Sequence, residues 1–253
     1  MPRFTDCHAH LDMLPDPRAA VMDAASAGVE RILAVGIDIR SSRLAVAFAH
    51  EFPSVLAAVG IHPHDAAGAS AADFEELESL AEDPEVVAIG ETGLDYYHDR
   101  APRDTQQETF RRHVRLALDH ELPLVVHSRE AAADTMDLLA GEAAGATVIL
   151  HCFSLVDHVE ECARRGYYMS LAGNVSYRNA MRLHDATTRI PADLLLTETD
   201  SPYLSSVPHR GSPNCPARVA HVADAVASLR DTSIETLAAA VHANFHRAFN
   251  LSP

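Results

Sequence analysis

Lysine is missing from this 253-residue chain, in which all 20 basic residues are arginines. Without a lysine amine the protein can form no Schiff base with a carbonyl substrate and no Walker-type phosphate loop. A carbamylated lysine between two metal ions is excluded for the same reason. Any side chain that bridges two metals in this protein must therefore be a carboxylate.

Long apolar runs are also missing, since no stretch reaches the roughly 18 residues of a transmembrane helix. The chain starts with an apparent strand and shows no charged-then-apolar leader, so we expect a soluble, cytoplasmic protein without a membrane role. The formal net charge of −16 argues against a broad basic surface for nucleic acid but allows a local metal site. No C-x-x-C pair occurs, so free thiols are expected at Cys7, Cys152, Cys162 and Cys215.

Short apolar runs with little alternation recur along the chain, as in parallel strands buried on both faces. The predicted strands are Arg3–Cys7, Arg31–Val35, Val55–Gly60, Val86–Gly90, Leu122–His127, Thr147–His151, Tyr167–Leu171 and Leu194–Thr197. Helical patterns separate most of them, which predicts an α/β protein, a (β/α)₈ TIM barrel forming a single domain over residues 1–253. The alternative is an open doubly wound sheet, but residues 8–14 lack the glycine-rich first turn.

Imidazoles and carboxylates follow the predicted strands, beginning with the stretch RFTDCHAHLD. His8 and His10 are two positions apart and point to the same face of an extended segment. Since barrel chemistry occurs at the carboxyl ends of strands, the candidate ligands there belong to one rim. They are His8, His10, His62, His64, Glu91, Asp95, His127, His151, Glu198 and Asp200.

The remaining histidines are interpreted as ordinary solvated residues of helices and loops, and any single rim histidine could equally be a capped surface residue. The solvated set is His50, His98, His113, His120, His158, His184, His209 and His221. His242 and His246 have zinc-protease spacing, but Ala243 stands where the catalytic glutamate would be, so this pair is interpreted as part of an amphipathic helix.

This donor set suits one or two divalent ions such as zinc, manganese or magnesium. Glu91 can bridge two of them, with His8, His10 and Asp200 on the first ion. His127 and His151 would then complete the shell of the second ion. Such a pair activates water for hydrolysis, most naturally at phosphorus.

The chain resembles the TatD family of metal-dependent deoxyribonucleases. The motifs are TDCHAHLD, AVGIHPH, AIGETGLDYY, QQETFRRHVRLA, PLVVHSR, ILHCFS, LLTETDSPYL, HRGSPNCP and NFHRAFN. The resemblance implies a TIM barrel that cleaves DNA phosphodiesters, with a 3′–5′ exonuclease on single-stranded DNA as the expected activity. It implies metal ligation by His8, His10, Glu91, His127, His151 and Asp200, and substrate contacts near His62, Arg129 and Arg210.

The predicted mechanism is attack on phosphorus by a water that two divalent metal ions activate. Asp200 would accept the proton of this water, with Glu91 as the shared ligand. His62 would hydrogen-bond or protonate the substrate, and Arg129 would neutralise phosphate charge. Arg129 could instead pair with Glu130 or Asp134.

Asp6 and Glu198 are predicted either to orient imidazoles or to be structural carboxylates.

Two other functions of the protein stay open. One is hydrolysis of an ester or amide, for instance by a D-aminoacyl-tRNA deacylase, and the other is metal binding without catalysis. A monomer is expected because no large apolar surface stripe is evident.

Overall fold

A computed structural model describes residues 2–251 of the chain. Its strands are β1 (Phe4–Ala9), β2 (Val29–Val35), β3 (Val55–Val59), β4 (Val86–Asp95), β5 (Leu124–Arg129), β6 (Val148–Leu150), β7 (Tyr168–Leu171) and β8 (Leu195–Thr197). Its α-helices are α1 (Pro17–Ser26), α2 (Ile39–Glu51), α3 (Ala71–Ala81), α4 (Arg103–Asp119), α5 (Ala132–Glu142), α6 (Val159–Arg164), α7 (Met181–Arg189), α8 (Val219–Leu229) and α9 (Ile234–Ala248).

The eight strands follow one another in the sheet in chain order, β1 to β8. The pairs β3–β4, β4–β5, β5–β6 and β7–β8 are parallel. Because a parallel pair needs a crossover, helices follow the strands, and the predicted (β/α)₈ class is confirmed. All ten residues of β4 and all six of β1 are buried, as expected for strands covered on both faces.

Three strands extend beyond their predicted ends. β1 continues to Ala9 and therefore contains His8, β4 continues to Asp95 and contains Glu91, and β5 continues to Arg129. A helix that the sequence pattern did not indicate, α7, lies between β7 and β8. No helix within residues 2–251 is long and apolar enough to cross a membrane.

The described part of the chain divides into two compact units. The first unit comprises residues 2–33 and 151–251, and the second comprises residues 34–150. In the second unit α2 starts at a capping box, where Asp38 accepts from the backbone N–H of Ser41 at 2.7 Å. The start of α3 is capped in the same way by Ser70 and Asp73. The predicted single domain over residues 1–253 stays a prediction.

Candidate functional site

The first unit places the end of β1 beside the residues that follow β8. The backbone N–H of Asp200 donates to His8 O at 2.9 Å, and that of His10 donates to Ser201 O at 2.8 Å. Asp200 has a φ of 55°, a left-handed conformation that aspartate tolerates better than most residues. These hydrogen bonds fix the backbone of three predicted ligands, His8, His10 and Asp200.

The imidazoles of the first unit lie at distances suited to sharing a cation. His8 Nε2 is 3.3 Å from His10 Nε2, and the His8 ring stacks on that of His151 with centroids 3.9 Å apart. His10 Nε2 is also 3.5 Å from Asp200 Oδ1. Two facing ring nitrogens repel each other through their lone pairs unless a proton or a metal ion lies between them. We call His8, His10, His151, Glu198 and Asp200 the first-unit group.

Two buried carboxylates support this group in different ways. Glu198 Oε1 lies 3.2 Å from His151 Nδ1 and accepts from the backbone N–H of Cys152 at 2.8 Å, so Glu198 orients an imidazole. Asp6 instead accepts from the backbone N–H and the hydroxyl of Thr199 at 2.7 and 2.6 Å. Asp6 is therefore a structural carboxylate that holds the turn next to Asp200. Burial raises the pKa of Asp6 to about 8.

The pKa of Asp200 is shifted downwards, unlike that of Asp6. Burial by itself would raise it, but the hydrogen bond from His10 and the charges of His151 and His8 outweigh burial and lower the pKa. The Asp200 carboxylate is therefore ionised at neutral pH and can accept a proton or bind a cation.

The second unit gathers its own group around Glu91. Glu91 Oε1 lies 3.0 Å from His127 Nδ1 and 3.4 Å from His62 Nε2. The backbone N–H of His64 donates to His62 Nδ1 at 3.1 Å, so the proton of a neutral His62 is on Nε2. Burial lowers the pKa of His62 to about 4, which keeps this ring neutral at pH 7.

Asp95 connects three further imidazole nitrogens of the second unit. Its Oδ2 lies 2.8 Å from His64 Nε2, 2.9 Å from His98 Nδ1 and 3.4 Å from His127 Nε2. His98 is exposed, as the interpretation of a solvated residue predicted, but it also contacts this carboxylate because it follows the end of β4 by three residues. Burial would raise the pKa of Asp95, but bonds from His127, His98 and His64 lower it. We call His62, His64, Glu91, Asp95, His98 and His127 the second-unit group.

A buried histidine outside this group supports the segment that leads to His62. The Ile61 backbone N–H donates to His113 Nε2 at 3.0 Å, while His113 Nδ1 lies 2.8 Å from Thr109 O. The sequence interpretation of His113 as solvated was wrong, since the ring is fully buried. A helical pattern alone does not show that one polar side chain faces a neighbouring loop. Burial lowers the pKa of His113 to about 4.

Gly93 allows β4 to approach β5 at the backbone of His127. The two residues are register partners, and a Cβ on Gly93 would lie 2.0 Å from His127 O. Gly93 also has a φ of 131°, which side chains rarely adopt. Any residue other than glycine here would displace the backbone that carries a predicted ligand.

The donors in each unit fit a divalent cation. In the first unit the ligand atoms of His8, His151 and Glu198 lie within 4.8 Å of one another. In the second unit the same holds for His62, Glu91 and His127, and for His64, Asp95 and His98. Imidazole nitrogen with carboxylate oxygen is the donor set that zinc and manganese accept, with magnesium if water completes the shell. The bridging role predicted for Glu91 stays a prediction.

A protein-family model described as "TatD related DNase" matches residues 5–250. This chain belongs to the TatD family. It is 36% identical to the "Uncharacterized metal-dependent hydrolase YabD" of Bacillus subtilis, over 98% of this chain and 99% of the relative. It is 34% identical to the "3'-5' ssDNA/RNA exonuclease TatD" of Shigella flexneri, over 92% of each chain.

The structural comparison agrees with the family assignment. The solved structure of YJJV, a TatD homologue from Escherichia coli K12, has a TM-score of 0.93, with 28% identity and 99% of each chain covered. The protein is therefore a TatD-family metal-dependent hydrolase with a (β/α)₈ fold. The six predicted metal ligands all belong to the two groups of this TatD-family protein.

The two arginines predicted to contact substrate both lie over tyrosine rings. The Arg129 guanidinium carbon is 4.2 Å from the Tyr97 ring centroid, and that of Arg210 is 4.2 Å from the Tyr177 ring centroid. Asp134, one predicted partner of Arg129, accepts instead from the Tyr96 hydroxyl at 2.7 Å.

The predicted free thiols are confirmed at Cys7, Cys152, Cys162 and Cys215.

Proposed function

We propose that this TatD-family hydrolase removes nucleotides from the 3′ end of single-stranded DNA with two divalent cations, Mg²⁺, Mn²⁺ or Zn²⁺. The observation that carries the proposal is that each unit contains imidazoles and carboxylates with ligand atoms within 4.8 Å of one another. The name of the Shigella relative, a 3′–5′ exonuclease on single-stranded DNA and RNA, supports the choice of substrate.

Six residues are proposed to hold the cations: His8, His10, Glu91, His127, His151 and Asp200. When bound, the cations would polarise a phosphoryl oxygen and lower the pKa of a water molecule. Glu198 would keep the Nδ1 side of His151 bonded, and Asp95 would do the same for Nε2 of His127. Such outer carboxylates fix the ring orientation of a ligand and increase its basicity.

Proton transfer would then involve one residue that accepts a proton and a second residue that donates one. Asp200, whose pKa is lowered, is ionised and would accept the proton of the attacking water. His62 is neutral and carries its proton on Nε2, so it would donate to a non-bridging oxygen or to the leaving oxygen. With Glu91 as a ligand, these are the three proposed catalytic residues.

Arg129 and Arg210 are proposed to bind the phosphate groups of the strand. Both side chains are exposed, and each guanidinium presents a planar fork of donors that matches phosphate oxygens. Because the chain has a formal net charge of −16, these local contacts have to overcome long-range repulsion of DNA.

The proposal is tested with a single-stranded oligonucleotide labelled at its 5′ end, incubated with purified protein and Mn²⁺ or Mg²⁺. We expect a ladder of products shortened from the 3′ end, and none after the metal is removed with a chelator. Glu91→Ala should lower the rate by about 100-fold or more, since preorganised electrostatic stabilisation of this kind contributes on the order of 10²–10³ in rate.

Glu75→Ala is the matched control, because it removes an exposed glutamate of α3 and should leave the rate unchanged. A Glu91→Ala variant as fast as the parent would contradict the proposal. A D-aminoacyl-tRNA substrate is assayed in parallel, since faster deacylation than DNA cleavage would favour the ester-hydrolase alternative. The cytoplasmic location and the monomeric state remain predictions.

A further inference from the structure

Tyr97 is an exposed aromatic residue two positions after the end of β4, the strand that contains Glu91. Its side chain is 62% exposed, although a tyrosine ring gains from burial. Its backbone is nevertheless fixed, because the Tyr97 N–H donates to Asp95 Oδ1 at 3.0 Å and the His98 N–H donates to the same oxygen at 2.8 Å. An exposed ring on a fixed backbone loses little conformational freedom when a ligand stacks on it.

Arg129 supports the ring from one side. Its guanidinium carbon lies 4.2 Å from the Tyr97 centroid, within the range of a cation–π contact. Arg129 is also the register partner of Asp95, and its carbonyl accepts from the Tyr96 N–H at 2.9 Å. The His98 ring also meets Tyr97 at 90°, with centroids 5.0 Å apart, yet the residue as a whole stays 62% exposed, which leaves ring surface accessible to a planar ligand.

The position of the ring connects it to the second-unit group. Asp95, which fixes Tyr97 through Oδ1, contacts His127 Nε2 at 3.4 Å through Oδ2. His127 in turn precedes Arg129 by two residues on β5 and lies 3.0 Å from Glu91. One carboxylate thus sets both the exposed aromatic ring and a proposed metal ligand.

We propose that Tyr97, backed by Arg129, is a stacking platform for an unpaired base of a single-stranded nucleic acid. The choice of ligand rests on the proposed function. Bases stack on aromatic side chains without regard to sequence, and the Arg129 guanidinium over the opposite face of the ring adds positive charge near the phosphates of the strand. In a protein with a net charge of −16, stacking supplies affinity that a broad basic surface does not.

The test measures binding of the metal-loaded protein to a labelled single-stranded oligonucleotide with phosphorothioate linkages that resist cleavage. Tyr97→Ala should weaken binding roughly 5- to 150-fold, the range reported for loss of one base–aromatic stack. Tyr97→Phe keeps the π-face and should bind within about twofold of the parent. An abasic strand of the same length and charge should bind parent and Tyr97→Ala equally.

Met22→Ala is the matched control, since Met22 on α1 has the same 62% exposure and should not affect binding. Deoxyribose and ribose strands are compared side by side to show which sugar the platform serves. An equal loss on base-bearing and abasic strands, or no loss on either, overturns the platform.

The outcome is separable from that of the proposed function. Tyr97-dependent binding without cleavage would keep the platform and reject the nuclease. Cleavage of the phosphodiester strand with no dependence on Tyr97 would do the reverse. A parent that binds no single strand would reject the platform.

Discussion

The two histidine–carboxylate groups use the same residue types but connect them differently. In the first-unit group the short contacts pair each carboxylate with one ring, Glu198 with His151 at 3.2 Å and Asp200 with His10 at 3.5 Å, while the charges of His151 and His8 also act on Asp200. In the second-unit group the carboxylates are shared. Glu91 faces two rings and Asp95 faces three.

This difference follows from where the residues lie in the chain. The first-unit group joins the end of β1 to His151, Glu198 and Asp200. Backbone hydrogen bonds between the end of β1 and the turn after β8 align His8, His10 and Asp200. The second-unit group comes from β3, β4, β5 and the turns after them, and its side chains hold one another. Removing one carboxylate should therefore act locally in the first group and more widely in the second.

Loss of one proposed ligand in either group should have the largest effect. We expect His10→Ala and His127→Ala each to bind one cation fewer than the parent, measured by elemental analysis after purification without chelator. Each should lower kcat by about 10²–10³, because charge stabilisation at the reacting oxygen is lost. His120→Ala, an exchange in the loop after α4, should change neither quantity.

An unchanged metal content in one of the two variants would remove that group from the proposed metal site. An unchanged metal content in both would reject the proposal that these groups hold the catalytic ions.

Exchange of the supporting carboxylates should separate the two groups more finely. Asp95→Asn and Glu198→Gln keep size and remove charge, and loss of such a partner typically lowers metal affinity or activity by about 10- to 100-fold. We expect the loss for Asp95→Asn to lie towards the upper end of this range, because Asp95 contacts three imidazoles. The measurements are kcat/KM and the Mn²⁺ concentration for half-maximal activity.

Asp83→Asn is the control, because Asp83 is bonded to the exposed ring of His50, which belongs to neither group. If Glu198→Gln lost more activity than Asp95→Asn, the contrast between local and shared support would be wrong.

The smallest expected effect is a loss of stability when a buried side chain that holds the backbone next to one of the groups is exchanged. His113→Phe leaves the Ile61 N–H without its acceptor, which should lower the free energy of unfolding by about 1–3 kcal/mol. Urea titration measures this loss. Asp6→Asn is the comparison in the first unit, where Asp6 holds Thr199 in an analogous way.

His113 should also make stability depend on pH. Its pKa is about 4 in the folded protein and near 6.5 in the unfolded chain, so the unfolded state binds more protons between these values. Stability attributable to His113 is therefore intact above pH 6.5 and lost as pH falls towards 4. The difference between parent and His113→Phe should shrink over that range, and a constant difference would contradict the neutral buried ring.

The strands and the candidate ligands beside them could be read from the sequence because their signals are local. Buried strands are continuous apolar runs, and the imidazoles and carboxylates after them are conspicuous next to such runs. Helix α7 was missed because its buried face consists of Leu183, Ala186 and Thr187, with a Thr187 hydroxyl that bonds Leu183 O at 2.7 Å. Of its two large apolar residues Met181 is exposed and only Leu183 is buried, so the buried face carries little apolar signal.

Sequence alone determined the strands, the fold class and the candidate metal ligands, which stay a prediction, because periodicity and residue type are properties of short segments. Tertiary structure alone decided that Asp95 serves three rings, that Asp6 holds Thr199 and not an imidazole, and that His113 is buried against Ile61. Hydrogen bonds between residues far apart in the chain exist only when packing brings donor and acceptor within about 3 Å, and no local pattern encodes that distance.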